Sequence, residues 1–260
     1  RWYSINYNYN DNLISSIHKK LIDRVVSFEN KSPYTEKGAL SGSDIKLPLK
    51  RTIIQKNIDD HLGIYNCSGR DKRTYVKKSN YTNKIVRNYA VGLVNSQNKG
   101  SLNIGQVCDL FDHFYKNWTY VNDPNDVKDY VASASETIKN NLYGDCDDFA
   151  VVLCSAILAI GGEARIGTGC SSGQSCHAWA EVNIGNENTE KIIKYLSNRY
   201  GLSAENTIWW IEGYYDSSNR WLNLDWFASY PGGELFDVTY DGSWFYILQN
   251  HCIDFGKYVK

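Results

Sequence analysis

The chain has almost no net charge: 28 basic residues stand against 29 acidic ones, −1 in all at pH 7. No cluster of Lys and Arg stands out, which removes the electrostatic footprint of nucleic-acid binding. No apolar run approaches the ~20 residues needed to cross a bilayer, so no membrane span is expected in this chain. None of the seven cysteines forms a Cys-x-x-Cys pair. A structural zinc site is therefore not expected, and no metal or other cofactor is. Methionine is missing and the first residue is Arg1. The natural start is expected upstream, where a removed signal peptide or membrane anchor would fit.

What remains is ample. With 260 residues, 42% hydrophobic and 22% charged, the chain suits one large or two small domains with a proper core. Twenty Tyr and eight Trp are many. Such aromatics line grooves for peptides or sugars, and equally fill β-rich cores; the core reading is preferred for most.

One stretch organises the rest: Asn140 to Gly162, NNLYGDCDDFAVVLCSAILAIGG. Gly144-Asp145 reads as a turn. Cys146 opens a run in which Phe149, Ala150, Leu153, Cys154, Ile157, Leu158 and Ile160 recur at helical spacing. Gly161-Gly162 stops it. Cys146 is thus expected at the N-terminus of a buried helix, where free N–H groups and the helix dipole favour negative charge. A thiol so placed is expected to titrate below the ordinary value of about 8.5. Cys154, in mid-helix, reads as core.

Two strand-like segments follow. His177 stands near the start of an alternating run, Ser175 to Val182, and Asp225 near the end of another, Arg220 to Trp226. A nucleophilic Cys needs a base to take its proton and a third group to orient the imidazole. Cys146, His177 and Asp225 supply that set in chain order. Cys170 and Cys176 bracket a polar loop before His177. They are either a short disulfide, which suits an extracytoplasmic or secreted setting, or two free thiols.

These blocks, GDCDDFAVVLCSAILAIGGEARI, CHAWAEV and WLNLDW, resemble the three signature blocks of the transglutaminase-like superfamily. That superfamily has a Cys at a helix start, then His and Asp on successive strands of an antiparallel sheet. Its members include tissue transglutaminases, arylamine acetyltransferases, peptide N-glycanases and bacterial or archaeal cysteine peptidases; GDCDDFA and HAWAEV look most like the last. The resemblance covers roughly Ser79 to Asn250. It implies an α+β protein with a papain-like/transglutaminase-like core, a helical N-terminal half packed on an antiparallel sheet. It also implies a Cys-His-Asp thiol enzyme acting on protein or peptide. The leading reading is a cysteine peptidase or amidase that cleaves a peptide or isopeptide bond through a thioester. The alternatives are an acyltransferase that passes the acyl group to an amine, and a non-catalytic binding module. The peptidase-like members place a WxY-type sequence before the Cys block. Trp118 and Tyr120 in Asn117–Pro124 are therefore oxyanion or cleft candidates, the other reading being two core aromatics. Animal members use calcium, but no Asp-x-Asp-x-Asp-Gly loop is present here. Asp145, Asp147 and Asp148 are read instead as partners of the helix dipole and fold contacts.

Along the chain, residues 1–75 are expected to form a helical and irregular extension, with a helix from Asp11 or Asn12 to Phe28; residues 76–260 would be the catalytic core. Helices are expected around Tyr81–Val94, Ile104–Phe114, Val127–Ile138 and Asn188–Tyr200, the last inserted between the His and Asp strands. Further strands are expected at Glu163–Gly167, Ile208–Ile211 and Trp244–Leu248. Phe227–Glu234 reads as a loop leaving Asp225 that could act as a lid. His18, His61, His113 and His251 lack a nearby thiol or carboxylate pattern and read as ordinary.

Overall fold

The computed structural model describes residues 40–50, 72–123, 130–170, 176–202, 210–212, 219–234, 236 and 240–254. The expected helix near residues 12–28 lies outside them, as do His18 and His61. Helices come first: α1 (Lys72–Lys78), α2 (Lys84–Leu93), α3 (Ile104–Asn117), α4 (Ala134–Lys139) and α5 (Cys146–Ala159). Then come β3 (Ala164–Cys170), β4 (Cys176–Asn183), α6 (Thr189–Tyr200), β5 (Trp210–Glu212), β6 (Arg220–Leu224), β7 (Tyr240–Tyr246) and β8 (His251–Asp254). These six strands form one sheet in the order β5-β6-β4-β3-β7-β8, antiparallel throughout. The result is the α+β arrangement expected from helices followed by strands.

Every residue of α5 from Asp147 to Leu158 is buried, so this helix is enclosed on all sides. It packs on the sheet face that carries Ile166, Ala178, Ala180, Val182, Leu222, Leu224 and Phe245. The small Ala178 and Ala180 let helix and strand approach closely. On the other face Arg165 is fully buried. Its Nε pairs with Glu181 at 2.5 Å, Nη1 donates to the Tyr246 hydroxyl, and the guanidinium lies 4.3 and 4.4 Å from the Trp221 and Trp244 ring centres. A buried charge persists only with that degree of pairing.

Two local expectations are corrected, and two elements were not foreseen. Gly144-Asp145 is not a turn: Tyr143–Gly144 is a short strand, β2, paired in parallel with β1, Thr119–Tyr120. The turn falls earlier, at Asn141 and Leu142, both in the left-handed region (φ 59° and 62°). Gly144 is needed for another reason, since a Cβ there would collide with the Asp148 carboxylate. Within the helix expected at Val127–Ile138, residues 127–129 are not described, and among the described residues helix begins at Ala134. The Tyr130 and Ala132 N–H groups are taken sideways by Asp123 and Asp148, and Ser133 with Glu136 forms the capping box that starts α4. Helix α1 and edge strand β8 carry no clear periodicity and were not anticipated.

Part of the expected N-terminal extension lies against the core. Ile45 and Leu47 are buried, and backbone bonds tie Leu47 to Leu102, Ile104 to Ile45 and Lys50 to Gly161.

Candidate active site

Cys146 is the first residue of α5 and is half-buried with a free thiol. Asp145 is its N-cap, with an extended backbone and a carboxylate that accepts the Asp147 N–H at 3.1 Å. The thiol therefore stands where the helix leaves its first N–H groups unbonded.

His177 sits near the start of β4, opposite Gly169. Cys170 and Cys176, the next pair along, are joined by a disulfide. The bond closes the sheet end from which the imidazole projects. The ring lies between Trp179 (centres 6.3 Å apart, planes 19°) and Phe236 (4.6 Å). Trp179 is held in turn by an Nε1–H bond to Glu181 at 2.8 Å, and its indole fills the space that a side chain at Gly167 would take.

Asp225 lies one residue beyond β6 and is buried. Its carboxylate oxygens are 2.9 and 2.8 Å from His177 Nε2. The same carboxylate accepts the Phe227 N–H, while its own N–H donates to Asn223 Oδ1. Asn223 Nδ2 also donates to the carbonyls of Gly233 and Glu234, which ties the loop after Asp225 back to β6. Burial alone would pull the His177 imidazole down. Hydrogen bonds to Asp225 and Cys146 and the charges of both outweigh it, and raise the group to about 10. With Nε2 on Asp225, Nδ1 is the nitrogen left for the thiol.

Trp118 is half-buried, edge-on to Phe149 at 5.1 Å, and its Nε1 is buried with no hydrogen-bond partner. Tyr120 is exposed and stacks on Trp226 at 5.2 Å. Burial first, then the charges of Cys146, Asp145, Asp147 and Asp123, push its phenol up to about 12, so it remains an O–H donor.

The carboxylates of Asp145, Asp147 and Asp148 lie within 4.8 Å of one another, and could hold a cation. Asp145 and Asp148 have the fold contacts expected of them, to the Asp147 and Ala132 N–H groups. Asp147 is buried, and burial followed by the Asp145 charge raises it to about 10. Elsewhere, Cys154 and Cys108 are buried thiols raised by burial, Cys108 to about 12. His113 is bonded to the Tyr89 hydroxyl.

Residues 87–191, which include Cys146 and His177, match the family model of the transglutaminase-like superfamily. Parts of the chain are also similar to solved structures. A protein of Cytophaga hutchinsonii, provisionally named a cysteine protease, is 22% identical over 45% of this chain and 39% of its own, with a TM-score of 0.34. The match thus spans about two fifths of that protein. Calcium-bound LapG of Legionella pneumophila is 19% identical over 62% of this chain and 76% of its own, with a TM-score of 0.36; its EGTA-treated form gives 0.35. No curated protein matches. Asn223, Trp179 and Phe236 are site neighbours that sequence reasoning missed. Asn223 and Trp179 sit inside the WLNLDW and CHAWAEV blocks, where a polar or bulky residue two positions from the catalytic candidate is the only local signal. Phe236 carries none.

Proposed function

We propose that the protein is a cysteine hydrolase that cleaves an amide bond, in a peptide or isopeptide, with Cys146 as nucleophile, His177 as acid–base and Asp225 as its orienting partner. The observation that carries this reading is the double contact of Asp225 with His177 Nε2, which leaves Nδ1 for the thiol at the start of α5. The Cys146 sulfur attacks the carbonyl carbon and its proton resides on His177 Nδ1. The tetrahedral oxyanion is received by unbonded N–H groups at the helix start. Trp118 Nε1–H, buried without a partner, and the Tyr120 hydroxyl, kept protonated, are the candidate side-chain donors to it. As the carbon–nitrogen bond breaks, His177 returns the proton to the leaving amine and a thioester remains on Cys146. Water, deprotonated by His177, then attacks the thioester and releases the acid.

Support for an extracytoplasmic setting comes from the Cys170–Cys176 disulfide. Residues 76–260 would be the catalytic core and 1–75 an extension attached to it through Ile45 and Leu47. The test is mass spectrometry of the protein mixed with amide substrates and a primary amine. An acyl adduct on Cys146 that resolves to free acid is expected. Resolution mainly to the amine conjugate would make the protein an acyltransferase, and no adduct on Cys146 would leave a binding module.

A further inference from the structure

Among the described residues, eight large apolar or aromatic side chains stand exposed, and four belong to segments next to Cys146 or Asp225: Tyr120 (43%), Val121 (48%), Tyr143 (51%) and Phe227 (68%). The first three lie on or beside β1 and β2, and β2 leads through Asp145 directly into Cys146. Phe227, with half-buried Trp226, belongs to the turn that Asp225 caps. The two strips meet where the Tyr120 and Trp226 rings stack, with planes 29° apart. This contact joins the strand beside the nucleophile to the turn beside the acid. Tyr120 itself pairs with Gly144, two residues before Cys146.

Among the described residues Phe111, Phe114, Phe149, Phe245, Trp179, Trp221 and Trp244 are buried, whereas Phe227 and Tyr120 stand in water beside the candidate site. An apolar patch of that kind marks a contact surface. Flat aromatic faces gain most from covering another ring or a branched aliphatic group. The Asp145 and Asp123 carboxylates bear on the Tyr120 hydroxyl, and Asp145 directly precedes Cys146. An acidic side chain brought there would meet like charge.

Resting on the hydrolase reading above, we infer that Tyr120, Trp226 and Phe227 form a specificity subsite. It takes a bulky apolar or aromatic side chain of an extended peptide beside the scissile bond, and rejects Asp and Glu.

The experiment uses three peptidyl chloromethyl ketones that differ only in the residue next to the ketone: Phe, Ala or Asp. Each alkylates Cys146 by forming a sulfur–carbon bond and expelling chloride. Each rate is divided by the same protein's rate with iodoacetamide, which has no side chain to recognise. Phe should exceed Ala by about tenfold or more, the range a hydrophobic pocket commands, and Asp should be slowest. In Trp226→Ser and Phe227→Ser the Phe/Ala ratio should fall towards one. Equal Phe and Ala rates, or a preference untouched in both variants, would overturn the subsite. Phe227 is exposed, so its variant reports even if Trp226→Ser does not fold. Should no reagent prefer Cys146, the hydrolase reading fails separately. Calorimetric binding of the Phe and Ala peptide amides to the wild-type protein then decides the subsite: tighter Phe binding that Phe227→Ser abolishes sustains it, and equal affinity sinks it.

Discussion

Cys146, His177 and Asp225 should fail by unequal amounts when replaced. Cys146→Ala should abolish covalent turnover, since the neighbouring thiol of the helix, Cys154, is buried. His177→Ala should lower kcat/KM by about 10²- to 10⁴-fold, the usual worth of a positioned acid–base group. Asp225→Asn keeps a hydrogen bond to Nε2 but loses its charge, and should cost less than His177→Ala. Steady-state kinetics on one amide substrate read all three as lost transition-state stabilisation, with circular dichroism to show that each variant is folded. An Asp225→Asn loss as large as that of Cys146→Ala would contradict this division of roles. Asp147 is a different kind of residue. Its carboxyl is buried beside two others and held protonated near neutral pH. Asp147→Asn supplies a neutral group of the same shape and should raise the melting temperature. A fall instead would mean that the carboxylate is needed ionised, as it would be for a cation.

At the scale of elements, two joints hold the site. The disulfide closes a loop between residues six apart in sequence. Chain entropy alone assigns a loop of that length about 2 kcal/mol. The double variant Cys170→Ser, Cys176→Ser should therefore unfold at lower urea, and intact mass should rise on reduction of the wild type. If reduction adds no mass, the bond and the compartment that it implies are both lost. The second joint docks α6 on α3. Arg199 Nη2 contacts Asp109 at 3.0 Å and Asp112 at 2.7 Å, while the Tyr200 hydroxyl donates to Asp112. Arg199→Ala leaves Asp109 buried without its cation, and should cost about 3 kcal/mol by urea titration. Arg199→Ala together with Asp109→Leu should recover part of that loss.

For the whole molecule, His177 and Asp147 bias stability in the same direction with pH. The folded pKa of His177 lies above its unfolded value, so its contribution is complete below about pH 6.5 and is lost as pH rises towards about 10. Asp147 is also raised. Its unfolded form ionises from about pH 4 upward while the folded one does not, so stability again falls as pH rises. Unfolding free energy should therefore decline between neutral pH and pH 10, and the double variant His177→Gln, Asp147→Asn should flatten that decline. An equal slope in the variant would remove these two groups from the account.

Much was already legible in the chain. The run from Cys146 to Gly162 specified a helix with the thiol at its first residue, because apolar spacing and the Gly161-Gly162 stop are local properties, whereas the Asp145 cap emerged only in the structure. The alternation around His177 and before Asp225 specified strands for the same reason, and the resemblance supplied the order of the blocks. What the sequence could not decide is which segments meet. The parallel pairing of Thr119–Tyr120 with Tyr143–Gly144 joins residues some two dozen positions apart, and displaced the expected turn to Asn141 and Leu142. The stack of Tyr120 on Trp226, the contact of Phe236 with His177, and Asn223 bridging Asp225 to its loop are likewise long-range or depend on a neighbour's shape. Local periodicity states which face of an element is apolar. Only packing the sheet against α5 determines what that face touches, and so which side chains surround the thiol.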